Sequence, residues 1–357
     1  MRQNSRAMDE LKGMMALDDN HPQQRPTRRD ILATSAAVLA SSLIAQAQTK
    51  PATRELLANA TSKPATTQHT AGEGLGPIID VHQHTTYLGR PNEFLFAHQR
   101  NMGIAMTVLL PGGTPVDLPS THRGKTNGLY AGAGVTETCR VIAKEFPDRY
   151  RYFANEVPDL PGAKETLEKY LNDGAIGIGE QKFNLDVDSP AMELIFDIAR
   201  AYKVPVLLHF QHQMFNTGYE RFGKVLAKYP DVNFIGHAQT FWANIDAKHP
   251  DQKMLYPKGP VTPGGMTDKY LSDYPNLYGD MSAGSGLNAL QRDEDHARGF
   301  IERHQDRLVF GSDCPDRDGF GPPCSGSGMI KAIAKLSPSK EIMRKLLHDN
   351  AAKLLKL

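Results

Sequence analysis

From Pro77 onward, short and nearly continuous apolar runs alternate with segments of helical periodicity. No other feature of the chain restricts its fold as strongly. The strand candidates are Pro77–Thr85, Ala105–Leu110, Tyr150–Val157, Ile176–Phe183, Pro205–Gln211, Val232–Ala238, Leu277–Ser282 and Leu308–Asp313. Unbroken apolar runs of this length mark parallel strands covered on both faces. The helix candidates between them are Gly134–Phe146, Ala163–Asn172, Ser189–Tyr202, Tyr219–Tyr229, Arg292–His304 and Lys340–Leu355. In the third, Met192, Ile195, Phe196 and Ile198 form a helical stripe, and Ser189-Pro190 supplies a start signal. Strands alternating with helices over residues 77–357 predict an α/β fold, a (β/α)8 TIM-like barrel rather than a doubly wound sheet. No internal repeat and no domain boundary follow residue 76. The longer loops are Gly112–Asn127 and Trp242–Pro263.

The first 76 residues have another character. Arg28-Arg29 precedes an uncharged run from Ile31 to Ala47 that ends in Ala45-Gln46-Ala47, a small-residue cleavage pattern. Seventeen residues fall short of the ~20 needed to span a bilayer. Residues 1–47 therefore resemble a twin-arginine export signal, which predicts a periplasmic or otherwise exported protein and the twin-arginine translocation machinery as a transient partner. The plainer alternative is an amphipathic or anchoring helix. Met8, Met14 and Met15 are alternative starts. Residues 48–76, rich in Thr, Ala, Gly and Lys, read as a flexible tether without a core.

Charge excludes some partners. Lys plus Arg number 41 against 40 Asp plus Glu, and removal of residues 1–47 leaves 35 of each. Such a balance argues against nucleic acid and against a charged membrane surface, and leaves a small molecule as the expected partner. Oligomeric state is not encoded in any feature of the chain. Three cysteines cannot build a disulfide scaffold.

The chemistry lies at strand ends. In Ile79-Asp80-Val81-His82-Gln83-His84, the two histidines are one pleat apart on one face and can grip a single metal ion. His209 ends the fifth strand, His237 the sixth and Asp313 the eighth. In a (β/α)8 barrel, the C-terminal strand ends build the active site. One histidine in such a place is commonly structural; four and an aspartate at matching ends are hard to explain that way.

This order resembles the amidohydrolase superfamily. The strings Ile79–His84, Phe310-Gly311-Ser312-Asp313 and Asp349-Asn350-Ala351-Ala352-Lys353-Leu354-Leu355 look like its amidohydrolase-related branch, the amidohydrolase 2 family, over residues 77–357. The resemblance implies a metal-dependent enzyme. His82, His84, His209 and Asp313 become the expected ligands, a nitrogen and oxygen set that suits Zn2+ and also Mn2+ or Fe2+. Asp313 doubles as the proton acceptor from water, and His237 acts as acid/base or binds a second metal. In two-metal relatives a carboxylated lysine or a glutamate of the fourth strand bridges the ions. Here Glu180 and Lys182 share a face of that strand and serve either as second-metal ligands or as substrate contacts.

The remaining expectations are weaker in kind. Asp280 is placed to orient a ligand histidine from behind, or else is a solvated loop residue. Arg90, Lys125 and Trp242 are read as surface residues, with pocket lining as the alternative. His212 leaves the strand face and is excluded. The glycine-rich stretch Gly124–Gly134 lacks the arrangement of a phosphate loop and is an active-site loop at most. Cys139 reads as core. Cys314 and Cys324 flank a loop after Asp313 and are candidates for a disulfide, or for stray metal ligands.

The branch includes hydrolases, lactonases and metal-dependent non-oxidative decarboxylases. The leading expectation is a metal-dependent hydrolase that uses activated water on an amide, ester or lactone of a small molecule. The alternatives are a decarboxylase of an aromatic or unsaturated acid, and a non-catalytic exported barrel that binds a metal or ligand.

Overall fold

A computed structural model of the chain describes residues 71–125, 128 and 132–357. The expected export signal and most of the tether lie outside the described residues. The tether's last residues do not hang free, contrary to expectation. Gly72 donates its amide to the Met102 carbonyl at 3.1 Å, and Ala71 and Leu75 pack on the hydrophobic core. A β-carbon on Gly72 would come within 2.7 Å of both Ile78 Cδ1 and Met102 O, so only glycine allows this approach.

The strands are β1 (Ile79–Gln83), β2 (Met106–Leu109), β3 (Tyr150–Tyr152), β4 (Ile178–Gln181), β5 (Val206–His209), β6 (Phe234–His237), β7 (Leu277–Asp280) and β8 (Leu308–Val309). The helices are α1 (Asn92–Met102), α2 (Thr136–Glu145), α3 (Ala163–Asn172), α4 (Pro190–Tyr202), α5 (Phe222–Lys228), α6 (Gln239–Ala243), α7 (Met266–Asp273), α8 (Ala283–Gln291), α9 (Glu294–His304), α10 (Ser325–Leu336), α11 (Lys340–Arg344) and α12 (Asn350–Leu355). The strands form two parallel ladders, β1-β2-β3 and β4-β5-β6-β7-β8. Two seams close them into a barrel. Ala154, just past β3, bridges Ile178 in parallel, and Val81 and Asp313 donate and Phe310 and His82 accept across the gap between β1 and the chain leaving β8.

Packing follows the alternation. Ile79, Val81, Val108, Leu110, Phe153, Leu207, Ile235, Tyr278 and Val309 fill the barrel, and Ala351, Leu354 and Leu355 of α12 join the same cluster. A larger layer lies between strands and helices. In β5, β6 and β7 the polar end residue continues the inward parity: Leu207 then His209, Ile235 then His237, Tyr278 then Asp280. In β1 and β4 the parity breaks. Ile79 and Val81 are interior, yet His82 and His84 reach the site; Ile178 packs in the outer layer, yet Glu180 reaches it. Both strands carry a register shift, between Asp80 and Gln83 and between Ile178 and Gln181. An irregularity of this kind re-aims the following side chains.

Helix ends obey local chemistry. Ser189 Oγ accepts from the Met192 amide at the start of α4, where Pro190 occupies the first turn. Helices α1, α6, α7, α8 and α10 were not anticipated. The buried face of α1 includes His98 and Gln99, which interrupts its apolar stripe, while α8 and α10 open on Gly/Ser-rich turns. Part of the expected loop after β6 is α6. The expected C-terminal helix is split by a π-turn at Lys345–Asp349.

Candidate metal centre

The C-terminal strand ends gather His82, His84, Glu180, His209, His237, Asp280 and Asp313, all buried or nearly so. Acceptors fixed behind the rings decide where their protons sit. His82 Nδ1 lies 2.7 Å from Asp280 Oδ2, and His84 Nδ1 lies 2.8 Å from the Leu110 carbonyl. Neither partner can donate, so each ring donates from Nδ1 and turns Nε2 toward the site. Ser282 Oγ donates to Asp280 Oδ2 at 2.8 Å, so His237 Nδ1, 3.0 Å from that hydroxyl, also donates.

The three free Nε2 atoms converge on two carboxylates. His82 Nε2 and His84 Nε2 are 3.1 Å apart. Glu180 Oε2 lies 3.6 and 3.4 Å from them, and Asp313 Oδ1 3.7 and 3.4 Å. His237 Nε2 is 3.5 Å from Asp313 Oδ2. Asp313 Oδ1 is buried and has no hydrogen-bond partner among the described residues.

Electrostatics match this crowding of acceptors. Burial disfavours charge on His82, but the Asp313 and Asp280 carboxylates outweigh it and hold the ring well above its usual value. Burial and the neighbouring His82 oppose charge on His237, yet its bonds to Asp280 and Asp313 raise it too. Burial would raise Glu180 and Asp313; Lys182 and His209 hold the first well below the carboxylate range, and His82 and His237 the second. Burial and the Lys182 charge push His209 down to about 4.

Several expectations change here. Two triads can each hold an ion, His82–His84–Asp313 and His82–Glu180–His237, and His209 belongs to neither. The reason is Glu180, whose Oε1 takes His209 Nδ1 at 2.6 Å while Oε2 faces the histidine pair. Glu180 Oε2 thus faces the histidine pair from β4. Lys182 is half-buried with Nζ 5.7 Å from the Phe215 ring centroid, beside the site. Asp280 Oδ2 lies 2.7 Å behind the His82 ring, at Nδ1.

Arg90 and Trp242 are not surface residues. Arg90 is buried and binds the carbonyls of His84, Cys314 and Asp316 and the side chain of Gln83; Trp242 Nε1 donates to the Asp280 carbonyl at 2.8 Å. Both brace loops that carry the site. Lys125 is exposed. His212 stays off the site, its amide bound to Thr240 Oγ1 at the rim of a cleft beyond β5. Cys139 is core. Cys314 and Cys324 are free thiols 3.9 Å apart, not a disulfide, and Cys324 Sγ also lies 3.4 Å from His98 Nε2 and 3.7 Å from Met102 Sδ.

Sequence reasoning missed Ser282 and Tyr87. The Tyr87 ring packs edge-on against His84 at 4.8 Å. Burial, then the charges of Asp313 and Glu180, push its phenol well above the usual value. An aromatic three residues after His84, ahead of the first helix, was the available signal.

The amidohydrolase family profile matches residues 79–357. The chain belongs to the amidohydrolase family. Among solved structures, this amidohydrolase resembles an uncharacterised TIM-barrel protein from Bordetella bronchiseptica (TM-score 0.55, 17% identity, 78% of this chain and 98% of that one). It also resembles a probable 2-pyrone-4,6-dicarboxylic acid hydrolase from Acinetobacter baumannii with citric acid bound (0.51, 14%, 78% and 99%). A third is a protein from Agrobacterium tumefaciens in its apo form (0.50, 14%, 78% and 96%). At these identities the likeness establishes the barrel fold. No curated protein matches the chain.

Proposed function

We propose that the chain is a metal-dependent hydrolase that opens an amide, ester or lactone bond of a small molecule with water. One observation carries this reading: Nε2 of His82, His84 and His237 and the carboxylates of Glu180 and Asp313 crowd together at one buried point. Buried carboxylates need a positive partner, which protons on the rings supply in the metal-free protein and a divalent cation would supply in their place. Ligands about 2.1 Å from a tetrahedral centre stand about 3.4 Å apart. His82 Nε2 and His84 Nε2 stand 3.1 to 3.7 Å from each other, from Glu180 Oε2 and from Asp313 Oδ1. Those four residues would hold one divalent ion, with Zn2+ first and Mn2+ or Fe2+ also compatible. A single ion is favoured because His209 already occupies the other Glu180 oxygen.

Bound there, a divalent ion supplies Lewis-acid chemistry that polarises a carbonyl and acidifies water toward neutral pH. The protein does the rest. Asp280 and the Leu110 carbonyl keep His82 and His84 in the ligating tautomer. Asp313 orients the attacking water and passes its proton to His237 Nε2, 3.5 Å from Oδ2. His237 returns the proton to the leaving group. Tyr87, kept protonated, donates a hydrogen bond to a substrate oxygen, and Lys182 receives a substrate anion.

Lys182 also supports a second reading. A cation beside the centre suits a carboxylate-bearing substrate, and His237 can deliver a proton to carbon as the carbon–carboxylate bond breaks and carbon dioxide leaves. A panel of lactones, esters, amides and aromatic or unsaturated acids, scored for hydrolysis products and for released carbon dioxide, separates the two. Stoichiometric metal with turnover on neither panel would point to a non-catalytic binder. The Arg28-Arg29 segment supports, in addition, an exported location for the enzyme.

A further inference from the structure

We propose a second metal site, distinct from the centre above, at His98, Cys314 and Cys324, with Met102 as the fourth donor. It would take a thiophilic ion, Cu+ or Zn2+. The three residues are fully or almost fully buried, and one donor atom from each lies within 4.8 Å of the others. Cys314 Sγ is 3.9 Å from Cys324 Sγ; Cys324 Sγ is 3.4 Å from His98 Nε2 and 3.7 Å from Met102 Sδ. With metal–sulfur bonds of about 2.3 Å and metal–nitrogen bonds of about 2.0 Å, tetrahedral geometry separates two sulfurs by about 3.8 Å and sulfur from nitrogen by about 3.5 Å. The observed edges match those values. They do not match a disulfide, whose sulfurs stand about 2.05 Å apart.

Buried cysteine and methionine are ordinary small apolar filling, but buried imidazole is not. Among the described residues His98 Nδ1 has no hydrogen-bond partner, and Nε2 faces the Cys324 sulfur. Cys324 is also the N-cap of α10, and its sulfur accepts the Ser327 amide at 3.3 Å. An amide aimed at sulfur stabilises a thiolate. Imidazole, two thiolates and a thioether form a soft set that rejects Mg2+ and Ca2+. Two thiolates with Zn2+ also make a neutral buried unit, which avoids leaving net charge in the core.

The location gives the site a purpose. His98 and Met102 lie on α1, while Cys314 follows Asp313 directly and Cys324 closes the same loop. An ion here ties α1 to the loop that presents Asp313 to the catalytic centre.

The test uses the full chain, stripped of metal and kept anaerobic, titrated with Co2+ as a spectroscopic probe and then with Zn2+ or Cu+. The expected result is one equivalent of cobalt with thiolate-to-cobalt charge-transfer absorption, displaced by whichever ion the site prefers. Cys324→Ser and His98→Gln should abolish that band, and His84→Ala should keep it. Serine retains the helix cap, so Cys324→Ser is expected to fold, and the His84→Ala arm separates this proposal from the catalytic-centre reading. Absence of a charge-transfer band in the wild-type chain would overturn the proposal. So would a Cys314–Cys324 disulfide found by mass spectrometry in protein purified without oxidant.

Discussion

Asp280 Oδ2 accepts the Nδ1 proton of His82 at 2.7 Å, and the same oxygen lies 3.2 Å from Nδ1 of His237. One carboxylate at the end of β7 therefore faces Nδ1 of both His82 on β1 and His237 on β6. Asp280→Asn removes the charge and leaves either ring free to turn its proton inward. Metal affinity, measured by chelator competition, should fall about 10- to 100-fold while the fold persists.

Glu180 and His209 can be told apart. Because His209 acts through Glu180, His209→Asn should retain the ion and lower kcat about ten- to hundredfold through misplacement of the carboxylate. Glu180→Ala should lose the ion. If His209→Asn empties the centre as fully as His84→Ala does, His209 is itself a ligand.

Stability should depend on pH in opposite ways with and without metal. His82 and His237 are raised, so in the metal-free protein their contribution is complete below the unfolded histidine value of ~6.5 and is lost as pH climbs through their raised values. Glu180 and Asp313 are lowered, so theirs is present above the unfolded carboxylate value of ~4 and is lost as pH falls toward their depressed values. A bound cation replaces the histidine protons. The gap in Tm between loaded and stripped protein should widen from about pH 6 to pH 9, since protons stop competing for the imidazoles. A gap that is constant across that range would contradict the assignment.

Lys182→Met should raise KM about tenfold or more for substrates that carry a carboxylate, by loss of a charge-assisted hydrogen bond, and leave neutral substrates unchanged. Tyr87→Phe should instead lower kcat with little change in KM if its phenol bonds the substrate oxygen more strongly in the transition state.

Replacing Arg28-Arg29 with Lys-Lys should hold the chain in the cytoplasm, measured by fractionation against the wild type. Unchanged export would remove the twin-arginine reading and leave the barrel chemistry untouched.

The barrel followed from apolar periodicity because buried parallel strands and amphipathic helices leave strong one-dimensional traces. His82, His84, His237, Asp280 and Asp313 followed from their place at strand ends. Other parts have no such trace. The parity breaks in β1 and β4 arise from register shifts, which depend on neighbouring strands rather than on local composition. The pairing of His209 with Glu180 depends on which partner takes each carboxylate oxygen. Arg90 and Trp242 resemble loop residues until their buried carbonyl partners are seen, and α1 hides its inward face behind His98 and Gln99.

The most direct test of the central claim is elemental analysis of the purified full chain beside His84→Ala. The account predicts that the variant loses one equivalent of a transition metal relative to the wild type and loses activity, with thiolate-to-metal absorption unchanged. Equal metal content in the two proteins, or none at the catalytic centre of the wild type, would contradict it.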